Sequence, residues 1–247
     1  MVKDVIVDIV RHTAGLGIID AAKIVGSSEE TTIAALDKNR TVILNAKLHH
    51  AVPSLEGEFG MGNLPFLNGI TNMYKKDGSE INVSRINKNG VELPESLLFT
   101  DAEGNNDKYR LMSKELVDRE LQTVKFKGTK WNITFEPTLA KVQALSMAAG
   151  TYSSIEPTFT VKMKGSDLYF VLGSNNGGSH FGERLFASNV EGTIRDGIGF
   201  PLTQFLTILK MGMNNQCTVN FSEQGACMIS IDSGIGLYNY ILPSLTR

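Results

Sequence analysis

The feature that most constrains this chain is an order of predicted elements, a helix followed by several strands, that occurs four times. Four segments carry the apolar spacing or the proline start of a helix, and they span about residues 3–13, 63–74, 137–149 and 201–211. The segments between them read as short strands. A repeated order of this kind predicts duplication within duplication.

The strand candidates are rich in β-branched and aromatic residues and are separated by Gly, Asn and Asp turns. In residues 158–164 the apolar side chains occupy every second position, which is typical of an antiparallel strand with one buried face. The candidates lie at residues 31–36, 41–48, 55–61, 80–85, 133–136, 157–164, 168–172, 217–221, 227–231 and 236–242. They predict an α+β fold in which the helices gather on one face of antiparallel sheets.

Composition narrows the class of protein. The 247 residues are 42% hydrophobic and 20% charged, which excludes a disordered chain, and no apolar run is long enough to cross a bilayer. The balance of 24 Lys and Arg against 26 Asp and Glu excludes a protein coated in positive charge. Two cysteines, Cys217 and Cys227, are too few for a disulfide framework, and no secretory leader is recognisable. We expect a soluble cytoplasmic protein.

Sequence motifs of catalysis are missing. The chain has no phosphate-binding P-loop, no G-x-S-x-G elbow and no H-E-x-x-H pair. Its four histidines, His12, His49, His50 and His180, are not spaced as metal ligands. We therefore expect no catalytic residue, no metal and no cofactor, and a binding or scaffolding role.

Residues 107–130 are the candidate connector between two halves, because they hold 7 basic and 4 acidic residues and little turn chemistry. We predict an N-terminal domain over residues 1–112, a connecting segment over residues 113–130 and a C-terminal domain over residues 131–247.

Three features of the second half point to a family. They are the proline-led helix from Pro201 to Lys210, the paired strands around Cys217 and Cys227, and the closing aromatic-aliphatic run of residues 236–243. Over about residues 131–245 this order resembles the second domain of DNA sliding clamps, the ring-shaped polymerase processivity factors. Residues 55–85, a strand, an Asn-Leu-Pro-Phe-Leu helix and a strand, resemble the same family in the first half. The lengths are most similar to the clamps of T4-type bacteriophages, which share the trimeric PCNA-like architecture.

The resemblance implies two similar clamp domains, each with antiparallel sheets outside and two helices on the inner face. It implies a non-enzymatic homotrimeric ring that encircles double-stranded DNA, tethers the replicative DNA polymerase and is loaded by an ATP-driven clamp loader. A phage-encoded clamp would work in the host cytoplasm.

The resemblance also assigns site residues. The DNA-facing residues, in or beside the helices, are Arg11, Lys75, Lys76, Lys141 and Lys210. The partner-binding residues, in the connecting segment and near the C-terminus, are Leu116, Val117, Leu121, Tyr240, Ile241, Leu242, Pro243 and Leu245. The cations can equally be solvated charges, and alternate strand positions favour core packing for Tyr240 and Leu242. Leu245 follows a proline near the free end and is expected to be exposed.

Two other classes of protein fit parts of the sequence. One is a β-rich structural protein of a phage virion or tail. The other is a small-ligand-binding protein or lectin that uses the loop of residues 175–178 and His180, although the Asn and Gly residues of that loop favour a hairpin tip.

Overall fold

The computed structural model describes residues 2–88, 90–121, 126–173 and 180–245. The chain forms two compact units, unit 1 from residues 1–125 and 233–238 and unit 2 from residues 126–232 and 239–247. Both units run through a helix, three strands, a further strand, a second helix and three more strands. This order agrees with the predicted duplication, whereas the predicted domain limits stay a prediction.

The described part of the chain contains five α-helices. They are α1 (Val2–His12), α2 (Leu64–Met73), α3 (Lys114–Leu121), α4 (Leu139–Tyr152) and α5 (Leu202–Gly212). Four of them correspond to the predicted helices. The sequence analysis does not predict α3, because its three apolar residues, Leu116, Val117 and Leu121, are too few to mark a periodic stripe.

Unit 1 holds two antiparallel sheets. Their strands are β1 (Ala22–Gly26), β2 (Thr31–Leu36), β3 (Ile43–Leu48), β4 (Gly57–Met61), β5 (Glu80–Lys88), β6 (Val91–Thr100), β7 (Asn106–Arg110) and β8 (Met112–Ser113). One sheet has the order β8-β4-β1-β2-β3 and the other the order β5-β6-β7. Along the outer edge of β3 the chain returns at residues 235–238, where the His49 N–H donates to the Ile235 carbonyl at 2.9 Å.

Unit 2 repeats this arrangement. Its strands are β9 (Ile133–Phe135), β10 (Thr158–Lys164), β11 (Asp167–Gly173), β12 (Phe181–Ala187), β13 (Gly199–Pro201), β14 (Gln216–Ser222), β15 (Ala226–Asp232) and, from residue 239 onward, β16 (Gly236–Pro243). One sheet has the order β12-β11-β10-β13, and β14 lies between β15 and β9 in the other. The predicted α+β architecture with antiparallel sheets is confirmed.

Several strands do not follow from the sequence pattern. In β6, Pro94 interrupts the alternation, and the structure accommodates it opposite Arg85, next to a β-bulge at Glu95 of the same strand. The loop of residues 175–178, predicted as a hairpin tip, lies outside the described residues.

The C-terminal limit of α4 differs from the prediction. The helix continues through Gly150 to Tyr152, whose ring packs against two backbone sites that lack side chains. A Cβ on Gly182 would lie 2.7 Å from the Tyr152 hydroxyl, and one on Gly173 would lie 3.1 Å from its ring. Glycine is therefore required on both strands under this ring.

A cluster of phenylalanines forms the core of unit 2. Phe159, Phe170 and Phe205 are fully buried, and their rings lie 4.5 to 5.6 Å apart between the β12-β11-β10-β13 sheet and α5. Phe221 of β14 closes the cluster from the second sheet, 5.9 Å from Phe170. Aromatic burial of this extent fixes α5 on the strands.

The stretch of residues 107–130, predicted as the connector, contains regular elements over its described part. It includes most of β7, all of β8 and α3, and these elements belong to unit 1. Two of its charged side chains pair within α3, where Lys114 lies 2.7 Å from Asp118, one helical turn later.

Candidate functional site

The predicted DNA-facing residues are distributed over the helices of both units. Arg11 lies exposed in the last turn of α1, and Lys210 lies exposed in the last turn of α5. Lys75 and Lys76 follow the end of α2 and are also exposed. These four side chains can reach a polyanion in solvent.

Lys141 is placed differently. It lies in the first turn of α4, half-buried, and its ammonium group donates to the Leu185 carbonyl of β12 at 2.9 Å. Its backbone N–H donates to the Thr138 hydroxyl, which caps the helix. In this conformation the Lys141 ammonium group is already hydrogen-bonded to a backbone carbonyl of the same unit.

Apart from these lysines and Arg11, helices α1, α2, α4 and α5 expose few charges. The α2 surface presents Phe66 and Met73, which are 54% and 60% exposed, and Met147 of α4 is 80% exposed. The sequence does not predict that these large apolar side chains are exposed, because they lie on the same helix faces as Asn, Gln and Ala. A surface of this kind attracts phosphates weakly.

Lys3 of α1 is a functional candidate that the sequence analysis missed. Its ammonium group donates to the Lys76 carbonyl at 2.7 Å and to the Ser79 carbonyl at 3.0 Å. It thereby joins α1 to the chain after α2 and fixes the segment that carries Lys75 and Lys76.

Helix α3 is bound tightly to the sheet of unit 1. Val117 is fully buried, and a Cβ on Gly60 of β4 would lie 2.6 Å from its Cβ, so α3 approaches the strand as closely as glycine allows. Val117 and Leu121 form a small apolar cluster with Ala21, against which Leu36 and Met112 pack. The predicted partner-binding residues Val117 and Leu121 are therefore core residues of this cluster, whereas Leu116 is 42% exposed.

Four charged side chains surround the contact between α3 and the sheet. Lys23 pairs with Asp118 at 2.6 Å and with Glu58 at 3.2 Å, and Lys114 pairs with the same two carboxylates at 2.7 Å. Hydrogen bonds from the lysines lower the pKa of Glu58 and Asp118, and the two carboxylates raise the pKa of Lys114. The arrangement fixes the orientation of α3.

A pocket of about 390 Å³ opens beside the end of α3 in unit 1. Its apolar floor is made by Ala21, Leu36 and Leu121, and its rim carries charges of both signs, including an ion pair between Lys38 and Asp20 at 2.5 Å. An apolar floor with a charged rim is typical of a site for a short peptide.

The β2–β3 turn that forms one wall of this pocket is rigid. Asp37 is buried, and its carboxylate accepts hydrogen bonds from the Val42 N–H at 2.7 Å, the Thr41 hydroxyl at 2.9 Å and the Asn39 N–H at 3.2 Å. Of the residues that line the pocket, the sequence analysis identified only Leu121. Residues 37–40, Asp-Lys-Asn-Arg, can be recognised in the sequence as a turn. Nothing in these residues indicates that helix α3, about eighty residues later, lies beside the turn.

The predicted partner-binding residues near the C-terminus lie in unit 2. Tyr240, Ile241 and Leu242 are buried in β16. For Tyr240 and Leu242 this burial agrees with the core packing that alternate strand positions favour. Pro243 is half-buried, and Leu245 is 41% exposed. Backbone hydrogen bonds from Ser244 to the Gly225 carbonyl, at 2.8 Å, and from Leu245 to the Gly199 carbonyl, at 3.0 Å, hold the exposed leucine in place.

The residues that the structure describes include no metal-binding cluster and no reactive thiol. No group of three or more His, Cys, Asp or Glu side chains is placed to bind a metal there. His49, His50 and His180 are exposed, and His12 is buried. Burial raises the pKa of Cys217 to about 12 and that of Cys227 well above its usual range, so both thiols are unreactive. No described helix is long and apolar enough to span a bilayer.

Solved structures share this fold over its whole length. The crystal structure of PCNA from Thermococcus kodakaraensis matches with a TM-score of 0.71 at 10% identity, over 98% of this chain and 97% of that one. The structure of the C-terminal region of FEN-1 bound to A. fulgidus PCNA matches with a TM-score of 0.69 at 11% identity, over 99% of this chain and 96% of that one. Neither a family model nor a curated protein matches the sequence.

The chain therefore has the fold of PCNA sliding clamps. At these identities the likeness defines the fold alone.

Proposed function

We propose that this protein is a non-enzymatic DNA sliding clamp, a ring that encircles double-stranded DNA and tethers the replicative DNA polymerase. The observation that carries the proposal is the match of both units, over nearly the full length of the chain, to PCNA structures. The proposal includes a homotrimer, an ATP-driven clamp loader, a cytoplasmic location and the resemblance to T4-type bacteriophage clamps.

Two open sheet edges supply a means of ring closure. In unit 1 the outer edge of β3 is paired with residues 235–238, whereas its counterpart in unit 2, β12, has no strand on its outer side among the described residues. The counterpart of the final strand β16 in unit 1 is β7, which also lies at a sheet edge. We propose that β7 of one copy pairs with β12 of the next, because an open edge is a template for a further strand.

The register of β7 leaves three of its residues available for such pairing. The Leu111 N–H donates to the Glu95 carbonyl and the Asp101 N–H to the Asn105 carbonyl, so the odd-numbered residues of this segment face β6. The N–H and C=O groups of Asn106, Lys108 and Arg110 face the open edge.

The weak charge of the helix surfaces suits a clamp that slides. Tight contacts to phosphates would slow movement along DNA, whereas enclosure by a closed ring retains the duplex without them. We propose that Arg11, Lys75, Lys76 and Lys210 make the contacts to DNA and that Lys141 contributes little in the conformation described.

Partner docking is proposed for residues of the connecting segment in unit 1 and for residues near the C-terminus in unit 2. FEN-1 is bound to A. fulgidus PCNA through its C-terminal region, which supports a terminal peptide as the ligand class. In unit 1 the pocket of Ala21, Leu36 and Leu121 supplies an apolar floor for one side chain of such a peptide. In unit 2 the exposed Leu245 supplies an apolar contact.

The test is retention on DNA of different topology. The protein is loaded with its cognate loader onto nicked circular DNA and onto linear DNA of the same length, and the bound protein is counted over time. Retention on circles with loss from linear ends is expected. Equal retention on both, or a mass in solution that never exceeds one chain, would contradict the proposal.

A further inference from the structure

Three carbonyl groups along the edge strand β12 accept hydrogen bonds from side chains of the same unit. The Leu185 carbonyl accepts from the Lys141 ammonium group at 2.9 Å, and the Glu183 carbonyl accepts from the Arg184 guanidinium at 3.0 Å. The Phe181 carbonyl accepts a longer bond, 3.5 Å, from the Tyr152 hydroxyl. All three donors are side chains, two of them from helix α4.

The geometry of the sheet places these carbonyls on its open side. In an antiparallel pair every second residue bonds to the neighbouring strand, and the residues between point their N–H and C=O groups away from it. The His180 carbonyl lies 2.5 Å from the position of a Cβ on Gly173 of β11, so the even-numbered residues at the start of β12 face β11. Phe181, Glu183 and Leu185 are the alternate residues, and their backbone groups face outward.

We infer that Lys141, Arg184 and Tyr152 cap the free edge of β12 and compete with the strand of a second copy for the same carbonyls. This inference rests on the proposed ring, in which the incoming strand is β7. Side-chain covers of this kind protect exposed edges from unwanted pairing. Each copy therefore carries its own inhibitor of assembly, which has to move before the ring closes.

The first test measures self-association without DNA or loader. Lys141→Met keeps the length of the side chain and removes the donor, and Arg184→Met does the same at the second carbonyl. Each variant is expected to tighten self-association about three- to tenfold, as measured by sedimentation equilibrium, because the variant no longer makes the competing hydrogen bond.

Matched controls separate capping from a general effect of charge. Lys210→Met removes an exposed cation from the neighbouring helix α5, and Lys141→Arg keeps a donor at the capping position. Both should associate like the wild type. Unchanged or weaker association of Lys141→Met would overturn the inference, as would tightening by Lys210→Met to the same extent.

A second measurement on the wild type remains informative even if a variant folds poorly. On assembly, the amide N–H groups of Phe181, Glu183 and Leu185 should gain protection from hydrogen exchange, while those of Gly182 and Arg184 change little. No alternation in an assembled ring would overturn capping by displacement yet leave the clamp proposal intact. A wild type that never assembles would overturn both.

Discussion

The Tyr238 hydroxyl donates a 2.8 Å hydrogen bond to the carboxylate of Asp8, a residue 230 positions earlier in the chain. Ser233 donates a second bond to the same oxygen at 2.8 Å. The ring of Tyr238 stacks on the buried His12 with centroids 4.0 Å apart and an angle of 14° between the planes. Late residues of the chain thus complete the polar interior next to α1.

Replacing Tyr238 with Phe should destabilise unit 1. The variant keeps the ring and its stacking but leaves the buried Asp8 carboxylate with one donor fewer, which costs about 1–3 kcal/mol. Urea unfolding of the variant measures the destabilisation. The matched control is Tyr169→Phe, at a half-buried tyrosine of β11, and it should change the free energy of unfolding little. Equal destabilisation by both variants would contradict the assignment.

Stability should depend on the protonation of His12. Burial lowers its pKa from 6.5 to about 4, with the charge of Asp8 opposing the shift in part. The unfolded chain therefore takes up the proton first as the pH falls, so the contribution is fully present above pH 6.5 and is lost as the pH falls toward about 4. The decrease in stability reaches about 3 kcal/mol by the linkage of pKa to free energy.

The measurement is the free energy of unfolding at a series of pH values for the wild type and for His12→Phe, which keeps a ring against Tyr238. The difference between the two curves should change over this pH range. A constant difference would show that His12 is protonated alike in both states.

The close approach of α3 to β4 predicts opposite effects of two glycine substitutions. Gly60→Ala would place a Cβ 2.6 Å from that of Val117 and should destabilise unit 1 by about 1–3 kcal/mol. Gly69→Ala, in the exposed face of α2 with no atom within 4 Å, should stabilise by about 0.5–1 kcal/mol. Thermal unfolding of both variants tests the pair, and limited proteolysis of the first reports release of α3. Similar effects of both substitutions would contradict the packing described.

Contacts to DNA through the segment after α2 should appear in the salt dependence of binding. Lys75→Gln combined with Lys76→Gln should weaken binding to a short labelled duplex and reduce the slope of log K against log salt by about 0.9 for each phosphate that the variant no longer neutralises. The matched control is Lys38→Gln with Lys47→Gln, two lysines that pair with Asp20 and Glu30. An equal change of slope in the control would contradict the assignment of this surface.

The exposed Leu245 should contribute to partner binding and not to stability. Leu245→Asp is expected to weaken binding of the cognate replicative polymerase about tenfold or more, with unfolding unchanged, since the side chain is 41% exposed. Leu139→Asp, on α4 and 55% exposed, is the control. Surface plasmon resonance compares the two, and equal weakening would remove Leu245 from the docking surface.

The architecture could be predicted from sequence to a large extent because its signals are local. The proline-led start of α5 and the alternation of β10 are visible in windows of a dozen residues, and each element formed close to its predicted limits. Helix α3 has no such signal, since its stability comes from Gly60 and from ion pairs to Lys23, which lie far away in the chain.

The candidate site could be predicted only in part, for the same reason. Leucine and valine in the connecting segment looked suitable for docking, but the sequence does not show that Val117 is covered by a strand while Leu116 is exposed. Lys141 looked like its fellow cations because its partner, a backbone carbonyl of β12, leaves no trace in residue identity. Pairings of this kind become visible only in three dimensions.

The return of residues 233–238 to unit 1 also affects the order in which the protein matures during translation. The ribosome releases the N-terminal segment first, yet Asp8 and His12 lack their cover until Tyr238 has been synthesised. A nascent chain that carries all the earlier elements of unit 1 still has an incomplete interior around α1. Its first unit reaches the native state only after nearly all of the second has left the exit tunnel.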